Sequence, residues 1–193
     1  MECQPLLDAL QAQIGDCRRC GLCERRSHVV FGRGAAAARI MLVGEGPGAD
    51  EDRLGKPFVG AAGQLLDKIL AAAELPPGDT YICNVVKCRP PGNRVPLPEE
   101  QEACKGFLRE QIRIVQPWII VCLGATAGQT LLSPALRITR DRGRWQQKGR
   151  FWIMPTYHPA ALLRDESKKR DAWADFKAVK QLYTQLLDER GDR

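Results

Sequence analysis

The chain has no stretch approaching about 18 uninterrupted apolar residues, and its start, MECQPLLDALQAQIGDC, carries neither the basic opening nor the apolar run of an export signal. No membrane span and no secretion are expected, and the protein reads as cytoplasmic. Its eight cysteines therefore do not read as a disulfide framework, because the cytosol keeps thiols reduced. There is no internal repeat and no low-complexity tract beyond Ala35 to Ala38, which reads as a solvated loop. No Gly-Lys-Ser/Thr follows the glycine-rich segment, so a phosphate cradle of that type is not expected. Histidine is scarce, with only His28 and His158, so any imidazole chemistry falls on one of two positions.

What is present suffices for one compact domain over residues 1–193, since the length suits a single core and 44% of the residues are apolar. Lysine and arginine number 29 against 23 aspartates and glutamates, and the net charge of +6 favours a polyanionic partner. Four apolar, partly β-branched runs, 39–46, 80–88, 118–124 and 151–159, read as buried strands. Helical spacing of apolar residues marks 5–14, 61–75, 98–115 and 171–189. Alternation of strand and helix implies a parallel sheet covered on both faces. The segment 90–98 (PPGNRVPLP) is too rich in proline for regular structure and reads as an ordered loop. Ligands of such sheets gather at the carboxyl ends of the strands. GEGPGADED, NVVKCRP, GATAG and YHPAALL each follow a strand, which predicts a single site there.

Cys17-x2-Cys20-x2-Cys23 resembles the opening of a ferredoxin run, but Ser27 and His28 stand where its continuation would be. Cys88, directly after a strand, and Cys104, on a helix, complete a candidate quartet with Cys17 and Cys20. Four thiolates serve a [4Fe-4S] cluster or a structural zinc equally well, and a chain without the tight zinc-ribbon repeat also admits no metal at all. Any such metal would staple the N-terminal arm, residues 1–30, to the segment 88–104. Cys83 and Cys122 lie inside apolar runs and read as small core residues; Cys3 is terminal.

The Gly44-Glu45-Gly46-Pro47-Gly48 turn lets a ligand approach the backbone closely, and it is followed by Asp50, Glu51 and Asp52. Glu45 reads either as a functional carboxylate or as a loop cap. His158 follows the last strand and precedes Pro159, which stiffens the chain and fixes the ring's direction, as suits a catalytic donor; a satisfied, partly buried histidine is the alternative. Arg137, Arg140, Arg142, Arg144, Lys148 and Arg150, with Trp145 among them, read as a phosphate-tracking face on the side of His158, or else as a solvated hairpin.

GEGPGADED, GKPFVGAAGQLL, NVVKCRPPGNR, the cysteine quartet and YHPAALL, in this order from about Cys17 to the end, resemble the family 4 uracil-DNA glycosylases. The resemblance implies an α/β fold, a three-layer α/β/α sandwich around a four-stranded parallel sheet. It implies a [4Fe-4S] cluster on Cys17, Cys20, Cys88 and Cys104, with Cys23 left as an ordinary thiol. The implied activity is hydrolysis of the N-glycosidic bond of deoxyuridine in single- and double-stranded DNA, without lyase activity, by a monomer.

Carried over residue by residue, the resemblance has Gly44 and Gly46 shape the base pocket, Phe58 stack on the extruded base and Asn84 read the uracil edge. An amide held in one orientation donates to O4 and accepts from N3–H, a pattern that cytosine reverses. His158 would donate toward O2 of the leaving base. Ala160, Ala161, Leu162 and Leu163, with Arg164, match the segment that enters the minor groove. Gly46 stands where better-known glycosylases of this fold carry a water-activating aspartate, so Glu45 is the first choice for orienting water and Asp52 the second. Gly48 replaces the tyrosine that excludes thymine in those enzymes. Two rival functions remain, a catalytically inactive iron-sulfur DNA-binding module and a redox-sensing cluster protein; the joint presence of Glu45, Phe58, Asn84 and His158 argues against both.

Overall fold

In the computed structural model, residues 3–191 are described. The four apolar runs form β2 (Ile40–Gly44), β3 (Thr80–Asn84), β4 (Ile119–Leu123) and β6 (Phe151–Thr156). Every residue of the first three is buried, which is why they read as continuous apolar runs without alternation. They pair in parallel in the order β3-β2-β4-β6. The sheet is wider than four strands. A two-residue strand, β1 (Arg33–Gly34), adds antiparallel to β3, and β5 (Gln146–Lys148) adds antiparallel to β6, giving six strands in a mixed sheet. Both additions are short, and β5 is fully exposed, so neither has the apolar run that betrays the inner strands.

Helices flank both faces. Met41, Val43, Cys83, Ile120 and Cys122 point to a core closed by α1 (Cys3–Ile14) and α4 (Pro98–Val115). The intervening residues Ile40, Leu42, Ile82 and Val121 point to the opposite core, closed by α3 (Ala61–Ala72) and α8 (Lys169–Arg190). This is the two-residue period of a strand read on its two faces. Between them, α2 (Ala49–Leu54), α5 (Ala125–Leu131), α6 (Ile138–Asp141) and α7 (Pro159–Arg164) are short, and α2, α5 and α7 begin at or just past strand carboxyl ends.

Several expectations change. Ala38 is buried against the sheet and Ala35 and Ala36 pack on the same core, so the alanine run is not a solvated loop. The proline-rich segment holds a single 3-10 turn, Pro91–Asn93, and its last proline opens α4 at the first helical position, where the missing N–H costs nothing. Cys83 and Cys122 are fully buried as expected, whereas Cys3 starts a helix and packs against the core.

Candidate functional site

A cavity of about 610 Å³ opens at the carboxyl ends of the parallel strands. Gly44 and Asn84, the last residues of β2 and β3, are register partners. A Cβ on Gly44 would stand 2.4 Å from Asn84 Oδ1 and 2.6 Å from the Phe58 ring, so glycine there is what lets the two side chains converge. Phe58 is buried with φ +54, a left-handed backbone that phenylalanine rarely adopts. That turn is held from two sides. Gly63, in the first turn of α3, packs so tightly on the Phe58 carbonyl that a Cβ would lie 1.9 Å from its oxygen. Glu51 accepts from Val59 N and Gly60 N at 2.9 and 2.8 Å with one carboxylate oxygen and from Gly48 N at 3.1 Å with the other.

Asn84 is almost fully buried, and its Oδ1 is a buried acceptor without a hydrogen-bond partner in the described structure. Leaving such an atom unmatched costs about 1–3 kcal/mol, which a ligand N–H would recover. His158 caps α7: its Nδ1 accepts from Ala160 N at 3.1 Å, which leaves the ring proton on Nε2. Burial, with a smaller contribution from the Arg164 guanidinium, pushes the imidazole down to about 4, so the ring is neutral at neutral pH. Its ring stacks near Phe58, with centroids 5.6 Å apart. Glu45 lines the cavity and accepts a hydrogen bond from Thr126 Oγ1 at the start of α5.

Gly46, Ala160, Ala161 and Arg164 line the cavity with these groups, and Leu163 is 49% exposed on α7. Asp52 does not: its Oδ1 accepts from Ser27 N at 2.9 Å, and its carbonyl bonds His28 Nδ1 at 2.8 Å. It fastens the N-terminal arm to α2, and His28, left without a role by the sequence, is its partner. Leu162 is 1% exposed and packs with Tyr157 and Ala172, so it anchors α7 rather than entering a groove. Arg142 grips the buried Asp175 and the Asp171 carbonyl, Arg140 pairs with Asp141, and only Arg144 of the three is neither paired nor buried in these contacts. Lys148 caps the carbonyls of Leu131 and Leu132 at the end of α5. Lys148 and Arg150 flank the start of β6, the opposite end from His158, so the basic run is not one face.

A second, much smaller cavity lies under the arm, and Cys17, Cys20, Cys23, Cys88 and Cys104 all line it. Arg26 reaches in to donate to Cys88 Sγ at 3.2 Å and to Cys17 O at 2.7 Å. Burial raises the thiols of Cys20 and Cys104 above their ordinary value and pushes Cys88 up to about 11. Among the described residues no three His, Cys, Asp or Glu side chains stand as a ready ligand group.

Thr126, Arg26 and Lys87 are not singled out by the sequence, and Glu51 is named there without a role. Glu51 alone had a signal, as the third residue of a helix opening after Gly48, a capping-box position.

A strand-end pocket with a buried, unmatched amide beside an aromatic ring and a neutral imidazole suits recognition of a planar heterocycle. The model of the uracil DNA glycosylase superfamily matches residues 31–177, and the chain belongs to that superfamily. Within it the chain is a type-4 member. It is 45% identical over 170 residues to the type-4 uracil-DNA glycosylase of Thermotoga maritima, covering 86% of this chain and 88% of the relative. The type-4 enzyme of Archaeoglobus fulgidus is 41% identical over 186 residues, 91% and 92% of the two chains. A type-5 uracil-DNA glycosylase of Pyrobaculum aerophilum is 32% identical over 142 residues, 65% and 62%.

Proposed function

We propose that the protein hydrolyses the N-glycosidic bond of deoxyuridine in single- and double-stranded DNA, releasing uracil and leaving an abasic site, the opening step of base excision repair. The observation that carries this is the buried, unpartnered Asn84 Oδ1, an acceptor suited to uracil N3–H. Nδ2 of the same amide donates to O4. Cytosine offers no N3–H and an amino group in place of O4, so both contacts fail.

The sugar carbon is out of reach inside a duplex, and the handled base must leave the stack, as glycosylases in general require. Phe58 stacks on it. As the bond to C1′ breaks, its electron pair moves onto the base and the sugar becomes an oxocarbenium ion. His158, neutral with its proton on Nε2, donates toward O2 and stabilises that charge; its own Nδ1 is anchored by Ala160 N. Glu45 orients the water that adds to C1′ and takes up its proton, with Thr126 fixing the carboxylate. Ala160, Ala161 and the exposed Leu163 meet the minor groove, with Arg164 and Arg144 toward phosphate. One chain carries every one of these groups, so no second copy is needed to complete the site, in keeping with the monomer that the family resemblance implies.

Cys17, Cys20, Cys88 and Cys104 hold a [4Fe-4S] cluster, and Cys23 stays an ordinary thiol. The fit rests on an all-sulfur donor set around one buried cavity, with Arg26 and Lys87 as cations at its wall. Such a cluster supplies a cross-link between the arm and the segment 88–104. A reducing, cytoplasmic setting suits eight free thiols.

Release of free uracil from a single-uracil oligonucleotide, scored by alkaline cleavage beside cytosine and thymine controls, tests the proposal. Uracil-dependent cleavage that is lost in Asn84→Leu is the expected result; cleavage of all three strands or of none would overturn it.

A further inference from the structure

Lys87 is among the largest fully buried side chains of the described residues, at 0% exposure, and the mechanism above gives it no task beyond standing at the cysteine cavity. Its Nζ donates to the backbone carbonyl of Asn84 at 2.7 Å and to Gln111 Oε1 at 2.5 Å. The Gln111 amide is fixed in turn, donating to Phe31 O at 2.9 Å and to Tyr81 Oη at 3.0 Å, so its oxygen is aimed at the lysine. A buried ammonium is expensive unless a negative charge faces it. None of the described ion pairs includes Lys87. Glu100, the carboxylate at the wall of the cysteine cavity, is taken up by Arg94 and by Leu97 N.

Beyond those two oxygens, what surrounds Lys87 is sulfur. It lines the cysteine cavity together with Cys17, Cys20, Cys88 and Cys104, and its charge lowers the Cys83 and Cys104 thiols against the rise that burial imposes. Three residues upstream is the base-reading Asn84, and the next residue is Cys88. We infer that Lys87 is a positioning residue that serves as the inner countercation of the cysteine centre and, through the Asn84 carbonyl, fixes the base-reading amide at the end of β3. The grip on the metal and the grip on uracil are thereby coupled through one side chain. This rests on the reading of the two cavities given above.

The test uses purified, metal-loaded protein. Lys87→Met keeps the length and volume of the side chain and removes its charge. Two quantities are measured: the rate at which iron is lost to an external chelator, and the preference for an oligonucleotide bearing non-cleavable 2′-fluoro-deoxyuridine over the same strand with cytosine. Residues that support a ligating group from behind typically change metal affinity or activity about 10- to 100-fold. Iron loss in Lys87→Met should accelerate at least about tenfold, and the preference for the uracil analogue should fall by a similar factor, with affinity for the cytosine strand unchanged. Gln111→Glu offers the ammonium a carboxylate, so it should speed iron loss while keeping the uracil preference, because Lys87 still holds the Asn84 carbonyl.

A Lys87→Met protein that matches the parent in both quantities, or loses only one of them, would overturn the coupling. If Lys87→Met does not fold, iron loss at the parental rate in Gln111→Glu overturns it instead. Parental protein that takes up no iron and does not prefer the uracil analogue sinks the underlying reading as well, an outcome distinct from a loaded parent with an unaffected lysine variant.

Discussion

The two cavities are built on opposite principles. At the strand ends, the positions of Gly44, Phe58, Asn84 and His158 are dictated by backbone: register, a left-handed turn, and a helix cap. Among the described residues one buried side-chain acceptor is left unmatched there. Under the arm the reverse holds. Cysteines from the arm, from the end of β3 and from α4 converge although burial disfavours their charged forms, and two cations come in to meet them. The first region is pre-organised for a neutral, flat ligand and the second for a thiolate centre of negative charge. A site of the first kind is damaged by displacing it, one of the second kind by removing its charges.

The sharpest break in that comparison is His158→Ala. Folding and DNA binding should survive while single-turnover excision falls about 100- to 1,000-fold, the usual loss for a preorganised donor. Because the neutral ring is the working form, excision should be level from pH 8 through the ordinary histidine range and decline as pH falls through about 4. The stability effect has the same sign. A lowered folded value means that this contribution is complete above the unfolded value near about 6.5 and is lost as pH falls through about 4. Acid denaturation curves of parent and His158→Ala should therefore diverge over that window, and superimposable curves would count against a buried neutral imidazole.

Displacement without loss of chemistry is the next test. Gly44→Ala puts a Cβ against Asn84 Oδ1 and the Phe58 ring, and a misplacement of about 1 Å costs about 100-fold in rate. The variant should keep its iron; parental kcat/KM would show that Gly44 does not set the pocket. Smaller in rate, but large in stability, is Arg142→Ala, which strands the buried carboxylate of Asp175 and should remove about 3–5 kcal/mol in urea titrations. Arg144→Ala should leave stability alone and flatten the salt dependence of DNA binding by about one phosphate contact. At the bottom of the scale, Cys23→Ala should retain the parental iron content, whereas Cys88→Ala should not; equal losses would make Cys23 a ligand.

Legibility followed the same division. The inner strands were readable because a strand buried on both faces is a run of apolar residues, and the long helices because α4 and α8 span enough turns for their period to emerge. α2, α5 and α7 are six or seven residues long, too short for a period, and β1 and β5 lack apolar content. Residue type located Asn84 and His158 at strand ends, but it did not tell which acid of Glu51 and Asp52 faces the cavity. That depends on the direction of a helix one and a half turns long. Likewise, Leu162 and Leu163 are adjacent and identical, yet helical geometry sends one into the core and one outward. The run of arginines misled because charge counts say nothing of partners: Asp175 lies 33 residues downstream of Arg142.

The clamp at Glu51 has a consequence for anyone redesigning the pocket toward another base. Its partners are backbone N–H groups of Gly48, Val59 and Gly60, which no change of side chain at those three positions can retune. A library that varies position 51 would therefore spend most of its members on collapsed pockets, while position 84, whose Oδ1 stands open, is where new specificity can be selected.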